Sequence, residues 1–244
     1  MKKRLIGSWL TINNLFIAEF MATFDFDWLC IDMEHSVIDY RSAQQMVLAI
    51  QSKGIKAYIR VGENNPRIIK RALDTGVEGL IIPNVNSLIE AKNALMYMHY
   101  PPKGSRGVGL SRAQGYGFDF ENYRDKKSKE IKLIVQIEHI NAIKELEDII
   151  NIDGIDGTLI GPYDLSASMG KPGEWNDPDV KDALNRYLEI SKKYDKLIGF
   201  HVIEPNNISV NNKIVDGYNF IAFSTDTMFL GTKIQEELKK INNE

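Results

Sequence analysis

The sequence lacks the features that mark several large classes of protein. Cysteine occurs once, at Cys30, which excludes an intrachain disulfide and a metal site built from several cysteines. Inside the apolar stretch from Trp28 to Ile31, this thiol is expected to be buried and inert. No apolar run reaches the length of a membrane span, and too few apolar residues follow the first basic ones for a signal peptide. We therefore expect a cytoplasmic protein with no membrane partner.

Concentrated positive charge is also missing. The net charge is −3, and the one short basic stretch, residues 124–129, is typical of a solvated surface. We therefore expect no nucleic-acid partner. The apolar share of 43% is ordinary for a globular protein, and 244 residues suit a single domain of barrel size that spans residues 1–244.

Short apolar segments rich in β-branched and aromatic residues alternate with segments of helical periodicity. This order predicts βα units and a parallel sheet. The eight predicted strands are Leu5–Leu10, Asp27–Asp32, Lys56–Arg60, Glu78–Ile82, Ile131–Ile137, Ile155–Ile160, Leu197–Val202 and Tyr218–Phe223. Helices are predicted between them, among others at residues 39–53, 66–73, 141–150 and 178–194.

Eight parallel strands can form a closed (β/α)8 TIM barrel or a doubly wound open sheet. No Gly-x-Gly-x-x-Gly follows the first strand, which disfavours the open sheet, and we predict a single-domain TIM barrel. Residues 100–130 interrupt the alternation and are too long for a simple connection. They are expected to form a lid or a wall of the active site, or an inert surface excursion.

Polar residues close several of the predicted strands, where a parallel barrel carries its functional groups. These residues are Asp32, Glu34, His35, Arg60, Gln136, Glu138, Tyr163, Asp164 and His201. Each one alone could equally be a structural ion pair or cap, but their joint occurrence at neighbouring strand ends favours an active site.

Glu138 and Asp164 are the candidate metal ligands. Two carboxylates without cysteine or paired histidine suit Mg²⁺, Mn²⁺ or Co²⁺ rather than a structural zinc ion. A 2-oxo acid could chelate such an ion through its carboxylate and keto oxygens. A helix predicted after Pro162 would offer its first N–H groups to the substrate carboxylate.

Arg60 and His35 are the candidate catalytic residues. Arg60 could stabilise an enolate, or it could form an ion pair with Asp32 or Glu138. His35 follows two acidic residues and could move a proton at the aldol hydroxyl group. A Schiff-base mechanism needs a lysine in the pocket, but the strand lysines occur at strand starts, so metal-dependent chemistry is favoured.

At these residues the chain resembles the HpcH/HpaI family of class II pyruvate aldolases over nearly its whole length. The segments that carry the similarity are residues 26–35, Arg60, 100–109, 135–138 and 160–166. The resemblance implies metal ligation by Glu138 and Asp164, a base at His35, and stabilisation of the transition state by Arg60. It also implies that Gln136 and the backbone at Tyr163 contact the 2-oxo acid.

The resemblance implies two further properties. The base is paired with an aspartate at Asp74, although Asp74 is predicted late in a helix and Asp32 is nearer to His35 in sequence. The enzyme is a homohexamer, a trimer of dimers that exchange a C-terminal helix, for which residues 228–241 have the right length.

The chain departs from the family at two positions. Tyr163 stands where some relatives have a small residue, and it could narrow the pocket. His201 stands where relatives often have an aliphatic residue that touches the aldehyde, and a polar group there suggests a hydroxylated or acidic aldehyde.

The sequence therefore predicts a metal-dependent aldolase that produces pyruvate and an aldehyde from a 4-hydroxy-2-oxo acid. Two alternatives remain open. One is an acyl-CoA lyase of the citrate or malyl-CoA type, which needs a basic groove for the CoA phosphates. The other is a non-catalytic protein that binds 2-oxo acids, against which the complete set of polar residues argues.

Overall fold

A computed structural model describes residues 4–241, which form a closed barrel of eight parallel strands. The strands follow each other around the barrel in chain order, and the last pairs with the first. Their bounds are β1 Leu5–Leu10, β2 Trp28–Asp32, β3 Lys56–Arg60, β4 Gly79–Ile82, β5 Lys132–Ile137, β6 Gly157–Ile160, β7 Leu197–Val202 and β8 Phe220–Thr225. The predicted TIM barrel is confirmed, and every predicted strand end lies within two residues of the observed one.

Helices alternate with the strands and cover the outside of the barrel. Their bounds are α1 Leu15–Met21, α2 Tyr40–Ser52, α3 Pro66–Asp74, α4 Leu88–Met98, α5 Phe120–Asn122, α6 Ser128–Glu130, α7 Ile140–Lys144, α8 Leu146–Ile150, α9 Pro162–Ser168, α10 Pro178–Ser191, α11 Asn207–Asp216 and α12 Asp226–Ile241. The single helix predicted at 141–150 is divided into α7 and α8 at Glu145. Within residues 4–241, no helix is both long and apolar enough to cross a membrane.

Local sequence explains where the helices begin. The side chain of Asp39 accepts a hydrogen bond from the N–H of Ser42 and caps α2, while Asn65 caps α3 in the same way. Pro66 occupies the first turn of α3, where its missing N–H group costs no hydrogen bond.

The lower part of the barrel interior is filled by aromatic rings. Trp28 stacks on Phe220 with 4.3 Å between ring centroids, and Tyr58 lies 5.9 Å from Phe220. Glycines on neighbouring strands make room for them, because a Cβ at Gly7 would lie 2.1 Å from the Trp28 ring and a Cβ at Gly79 would lie 2.0 Å from the Tyr58 ring. A second and larger apolar core lies between the strands and the helices.

The interrupting segment, residues 100–130, is folded onto the barrel around one buried arginine. Arg106 donates to the Tyr123 hydroxyl and to the Asp74 carboxylate, each at 2.9 Å. Residues of this segment, among them Arg112 and Glu130, line a cavity at the amino ends of the strands. Within one chain, the segment therefore does not form a wall of a site at the carboxyl ends.

Candidate active site

The polar residues at the strand ends face the inside of the barrel because of strand periodicity. Side chains two positions apart in a strand share a face. Cys30 and Tyr58 belong to the inner core, so Asp32 and Arg60 point inward one layer higher, toward the carboxyl ends. The inward polar residues of this layer are Asp32, Arg60, Gln136 and His201.

Asp32 and Arg60 form a bidentate ion pair. Their Cα atoms are direct partners in the ladder between β2 and β3. Arg60 Nε lies 2.9 Å from Asp32 Oδ1, and Nη2 lies 2.7 Å from Oδ2. Burial acts to raise the pKa of Asp32, but the hydrogen bonds and charge of Arg60 outweigh it and hold that pKa below its ordinary value. The guanidinium group is thereby fixed in orientation.

Glu34 and His35 follow β2 in a turn around the carboxylate of Asp32. Their backbone N–H groups donate to Asp32 Oδ1 at 3.0 and 3.3 Å. The His35 ring is exposed, and its Nε2 atom lies 3.6 Å from Glu34. The Glu34 carboxylate also lies 3.3 Å from Nη1 of Arg60. Burial raises the pKa of Glu34 to about 7 although the charge of Arg60 opposes this.

Glu138 is the buried carboxylate of the site. It accepts hydrogen bonds from the backbone N–H of Asn84 at 2.8 Å and from Nε2 of Gln136 at 2.6 Å. Burial raises its pKa to about 7, and the negative charges of Glu34 and Asp164 add to the effect. Gly161 leaves space for the side chain, because a Cβ there would lie 2.8 Å from Glu138 Cγ.

Asp164 lies in the first turn of α9 and faces this group from the end of β6. Its charge contributes to the raised pKa of both Glu34 and Glu138, so the three carboxylates act on one region of space. Arg60 is the cation in this group, and it is already paired with Asp32. The negative charges of Glu34, Glu138 and Asp164 therefore exceed the positive charge available to them.

The donor set fits a hard divalent cation that shares its coordination with small molecules. No cluster of three or more His, Cys, Asp or Glu side chains in residues 4–241 is arranged to hold an ion alone. Mg²⁺ commonly takes one or two carboxylates and completes its shell with water and substrate oxygens. Oε1 of Gln136, next to Glu138, is buried without a hydrogen-bond partner in the protein, so it can accept a hydrogen bond from a water molecule or a substrate hydroxyl group.

A cavity of 750 Å³ opens beside these residues at the carboxyl ends of the strands. Its lining includes His35, Arg60, Gln136, Tyr163, Asp164 and His201. Tyr163 packs edge-on against Trp175 with 4.3 Å between ring centroids and is half exposed at the rim. All six residues were predicted from the sequence, and the fold brings them to one cavity.

A larger cavity, of 1090 Å³, lies at the opposite end of the barrel. Its charged residues include Lys56, Lys132 and Lys196, which occur at or just before strand starts. Lys132 is paired with Asp156 at 2.7 Å, and Lys196 donates to the carbonyl of Ile152 at 2.6 Å. We assign the active site by its chemistry rather than by cavity size, since no lysine of this end reaches the polar cluster around Glu138.

Asp74 is not brought to His35 within one chain. It is the last residue of α3, as predicted, and its carboxylate accepts hydrogen bonds from Arg106 at 2.9 Å and from Gln114 at 3.3 Å. Asp32 contacts the backbone of His35 but not its ring. The carboxylate closest to the His35 ring in the same chain is that of Glu34.

The family is decided by comparison with known proteins. The profile of the HpcH/HpaI aldolase/citrate lyase family matches residues 5–231. The chain belongs to this family. A 2-keto-3-deoxy-L-rhamnonate aldolase of Klebsiella pneumoniae is 34% identical over 235 residues, which cover 96% of this chain and 87% of that protein. A hydroxypyruvate/pyruvate aldolase of Sagittula stellata is 36% identical over 232 residues, which cover 94% and 90%.

The solved structures agree with this assignment. An HpcH/HpaI aldolase/citrate lyase family protein from Burkholderia cenocepacia has a TM-score of 0.93 and 30% identity, with 98% of this chain and 95% of that chain covered. The resemblance found in the sequence is confirmed. The curated relatives are aldolases, which are carbon–carbon lyases, and the chain is an enzyme of this HpcH/HpaI type.

Two residues of the candidate site have no role predicted from the sequence. Glu34 stands between Asp32 and His35 in sequence, and its position at a strand end was a usable signal. Asn84 follows β4 and adopts the left-handed region with φ 53°, where its N–H group meets Glu138. Asparagine tolerates this backbone region better than most residues, so an asparagine just after a strand could have been noted.

Proposed function

We propose that the chain is a divalent-metal-dependent aldolase that cleaves a 4-hydroxy-2-oxo acid to pyruvate and an aldehyde. The observation that carries the proposal is the excess of negative charge at Glu34, Glu138 and Asp164, beside an arginine that is already paired. Buried carboxylates with a pKa near 7 are costly unless a cation joins them. The names of the two curated relatives, both aldolases of 2-oxo acids, support the same substrate class.

Glu138 and Asp164 would hold the metal ion, and Mg²⁺, Mn²⁺ and Co²⁺ are its candidates. A bound divalent ion supplies Lewis-acid polarisation of the 2-oxo group. Gln136 orients Glu138 through the hydrogen bond from its Nε2 atom and offers Oε1 to a water molecule or a substrate hydroxyl. The first turn of α9 at Tyr163 would receive the substrate carboxylate.

The chain's own residues would carry the cleavage itself. His35 takes the proton from the C4 hydroxyl group, the C3–C4 bond breaks, and C4 leaves as the aldehyde carbonyl. The electron pair of that bond passes into the enolate of pyruvate, whose oxygen is stabilised by the fixed charge of Arg60. Protonation at C3 then gives pyruvate. His35 is exposed at the cavity, so it can exchange its proton with water between turnovers.

The test is an aldol assay with metal-depleted protein. Pyruvate is offered with a panel of short and sugar-derived aldehydes, with and without Mg²⁺, Mn²⁺ or Co²⁺. Product that depends on the metal supports the proposal, and Glu138→Gln should weaken metal affinity whereas Glu147→Gln, on the exposed side of α8, should not. Turnover that is equal in EDTA would refute the metal requirement.

The two alternatives give different outcomes in the same assay. An acyl-CoA lyase would turn over CoA esters only, and a binding protein would bind pyruvate without turnover. The basic residues that the sequence offers for the CoA phosphates are Arg106, Arg112 and Lys103. The geometry disfavours this alternative, because Arg106 donates to Asp74 and Arg112 donates to Thr75 and Gln51. Neither arginine is free to bind the CoA phosphates.

We also propose that the protein is an oligomer whose subunits exchange α12. The apolar residues Leu230, Ile234, Leu238 and Ile241 recur on one face of this helix and are each half or more exposed. Asp226 is the only buried residue of the helix within the described range. A helix with such a stripe gains stability only when a partner surface covers it.

The matching surface lies over β1 and β8. Ile6, Phe24, Val210, Ile214 and Phe223 line a cavity of 370 Å³ between the end of α1 and α11. In an ordinary barrel, the last helix packs at this position. We propose that α12 of a second subunit fills it, and that three such dimers make the hexamer.

The helix exchange can be tested by light scattering. Leu238→Asp should dissociate the dimers, whereas Lys239→Asp, on the polar face, should leave the mass unchanged. A wild-type mass for Leu238→Asp would refute the exchange.

A pairing of His35 with Asp74 also requires two subunits, because the two residues do not meet in one chain. Mixed oligomers of His35→Ala and Asp74→Ala subunits should therefore regain part of the activity that each variant lacks. No regain in verified mixed oligomers would refute a shared site.

A further inference from the structure

The active-site cavity continues beyond the end of the barrel into a groove on its outer surface. The groove lies between α10 and α11, and its walls line the same 750 Å³ cavity that contains Arg60 and Asp164. Trp175 and Ile203, in the connections that follow β6 and β7, also line this cavity. A molecule bound at the polar cluster can therefore extend into the groove.

Two helices form the walls of the groove with matching faces. α10 lines one side with Lys181, Leu184, Asn185 and Leu188, and α11 lines the other side with four residues of the same spacing, from Ser209 to Asp216. The spacing i, i+3, i+4 and i+7 places each set on one face of its helix over two turns. Two turns of helix correspond to a groove about 10 Å long.

The floor of the groove is the outer face of β7. Phe200 points away from the barrel axis because its neighbour in the strand, His201, points inward. Ile198 and Val202 share the outer face with Phe200 and are each 2% exposed, as expected beneath the helices of a barrel. Phe200 lies between them and is nevertheless partly exposed. Since α10 packs mainly against α7 and α8, the strand is left open to solvent at Phe200.

The base of the groove is apolar. Leu184 and Leu188 are partly buried and pack, like Phe200, against the core between strands and helices. The ammonium group of Lys213 lies 4.6 Å from the centroid of the Phe200 ring and 3.2 Å from the carboxylate of Asp216. The charge of Lys213 is therefore balanced by its own neighbour. The surface that remains for a ligand is apolar, and covering it removes apolar area from water.

We propose that the groove between α10 and α11 binds an apolar chain carried by the aldehyde half of the substrate. The aldehyde carbon stays at the polar cluster, while the chain passes over the end of β7 and lies against Leu184, Leu188 and Phe200. A groove about 10 Å long holds an extended chain of about eight carbon atoms. This inference rests on the proposed aldolase function and narrows the substrate class to 4-hydroxy-2-oxo acids with a long apolar substituent at C4.

The experiment measures kcat/KM for unbranched aldehydes from acetaldehyde to octanal, with pyruvate as partner. Each methylene group buried in the groove corresponds to about threefold in kcat/KM, so octanal should be preferred to butanal by about tenfold or more. Asn185→Trp places a large ring in the groove and should remove this preference. Arg186→Trp, at the neighbouring exposed position of α10 outside the cavity lining, is the matched control and should keep it. Equal use of butanal and octanal by the wild type, or an unchanged preference in Asn185→Trp, would overturn the inference.

A second variant and a measurement without aldehyde complete the test. Leu184→Asn keeps the size of the side chain but makes the base of the groove polar, so it should also reduce the preference for octanal, and an unchanged preference would count against the groove. Exchange of the pyruvate methyl protons with deuterium reports enolate formation by the wild type. Exchange and butanal turnover without a preference for octanal overturn this inference alone. Neither exchange nor aldol product from any aldehyde overturns both proposals.

Discussion

The buried carboxylates of the site predict an unusual dependence of stability on pH. The pKa of Glu138 is about 7 in the folded chain, against an ordinary value of 4.5. A group whose pKa is higher in the folded chain binds its proton more tightly there. Its contribution to stability is therefore complete below about pH 4.5 and is lost as the pH rises to about 7. The change corresponds to about 3 kcal/mol at most for Glu138.

A metal ion should reverse this trend. At the proposed metal site the ion would bind the ionised carboxylate, so below pH 7 it would have to displace a proton from Glu138. Metal affinity should fall about tenfold for each pH unit below 7 and should level off above it. Metal added at pH 7.5 should therefore recover the stability that the metal-free protein loses.

The assay is urea unfolding in EDTA at pH 5.5 and 7.5, for the wild type and for Glu138→Gln. The variant cannot ionise at this position, and its altered hydrogen bonds with Asn84 and Gln136 cost the same at both pH values. When the pH is raised from the lower to the higher of these values, the free energy of unfolding of the wild type should therefore fall by about 2 kcal/mol more than that of the variant. Parallel behaviour of the two proteins would refute the raised pKa.

Two further predictions concern the groups around this carboxylate. Arg60→Lys keeps the positive charge but loses the two parallel hydrogen bonds to Asp32. In steady-state assays kcat should therefore fall about 100-fold or more. A kcat within twofold of the wild-type value would contradict the role of this bidentate pair. Gly161→Ala places a Cβ 2.8 Å from Glu138 Cγ and should weaken metal affinity by about tenfold in calorimetry. Gly231→Ala, whose Cβ would meet nothing within 4 Å, is the control, and equal affinities in the two variants would contradict the steric argument.

The strands could be predicted from sequence because both of their faces are covered. A continuous apolar run bounded by turn residues leaves little choice of register, and the polar residue that closes it must lie at the carboxyl end. For this reason the sequence predicts that Arg60, Gln136 and His201 lie near the carboxyl ends of their strands, where the structure has them. Because side chains two positions apart in a strand share a face, these three side chains then point into the barrel.

The backbone conformation of the turns that follow the strands could not be predicted in the same way. Asn84 reaches the site through such a turn, and the conformation of a turn depends on which carbonyl or carboxylate accepts its N–H groups. Asn84 has a left-handed backbone because its N–H bonds to Glu138, which is 54 residues away in sequence. No local pattern encodes a partner at that distance.

From the sequence, Arg60 could either form an ion pair or stabilise an enolate. In the structure, the ion pair supports the proposed catalytic role. Asp32 binds Nε and Nη2, which leaves Nη1 on the side of Glu34. A free arginine would sample many rotamers, and its charge would lie at the reacting oxygen only part of the time. The bidentate bond removes this freedom, because Asp32 is buried and is itself held by the N–H groups of the following turn. The ion pair therefore gives the guanidinium group the fixed position that stabilisation of an enolate requires.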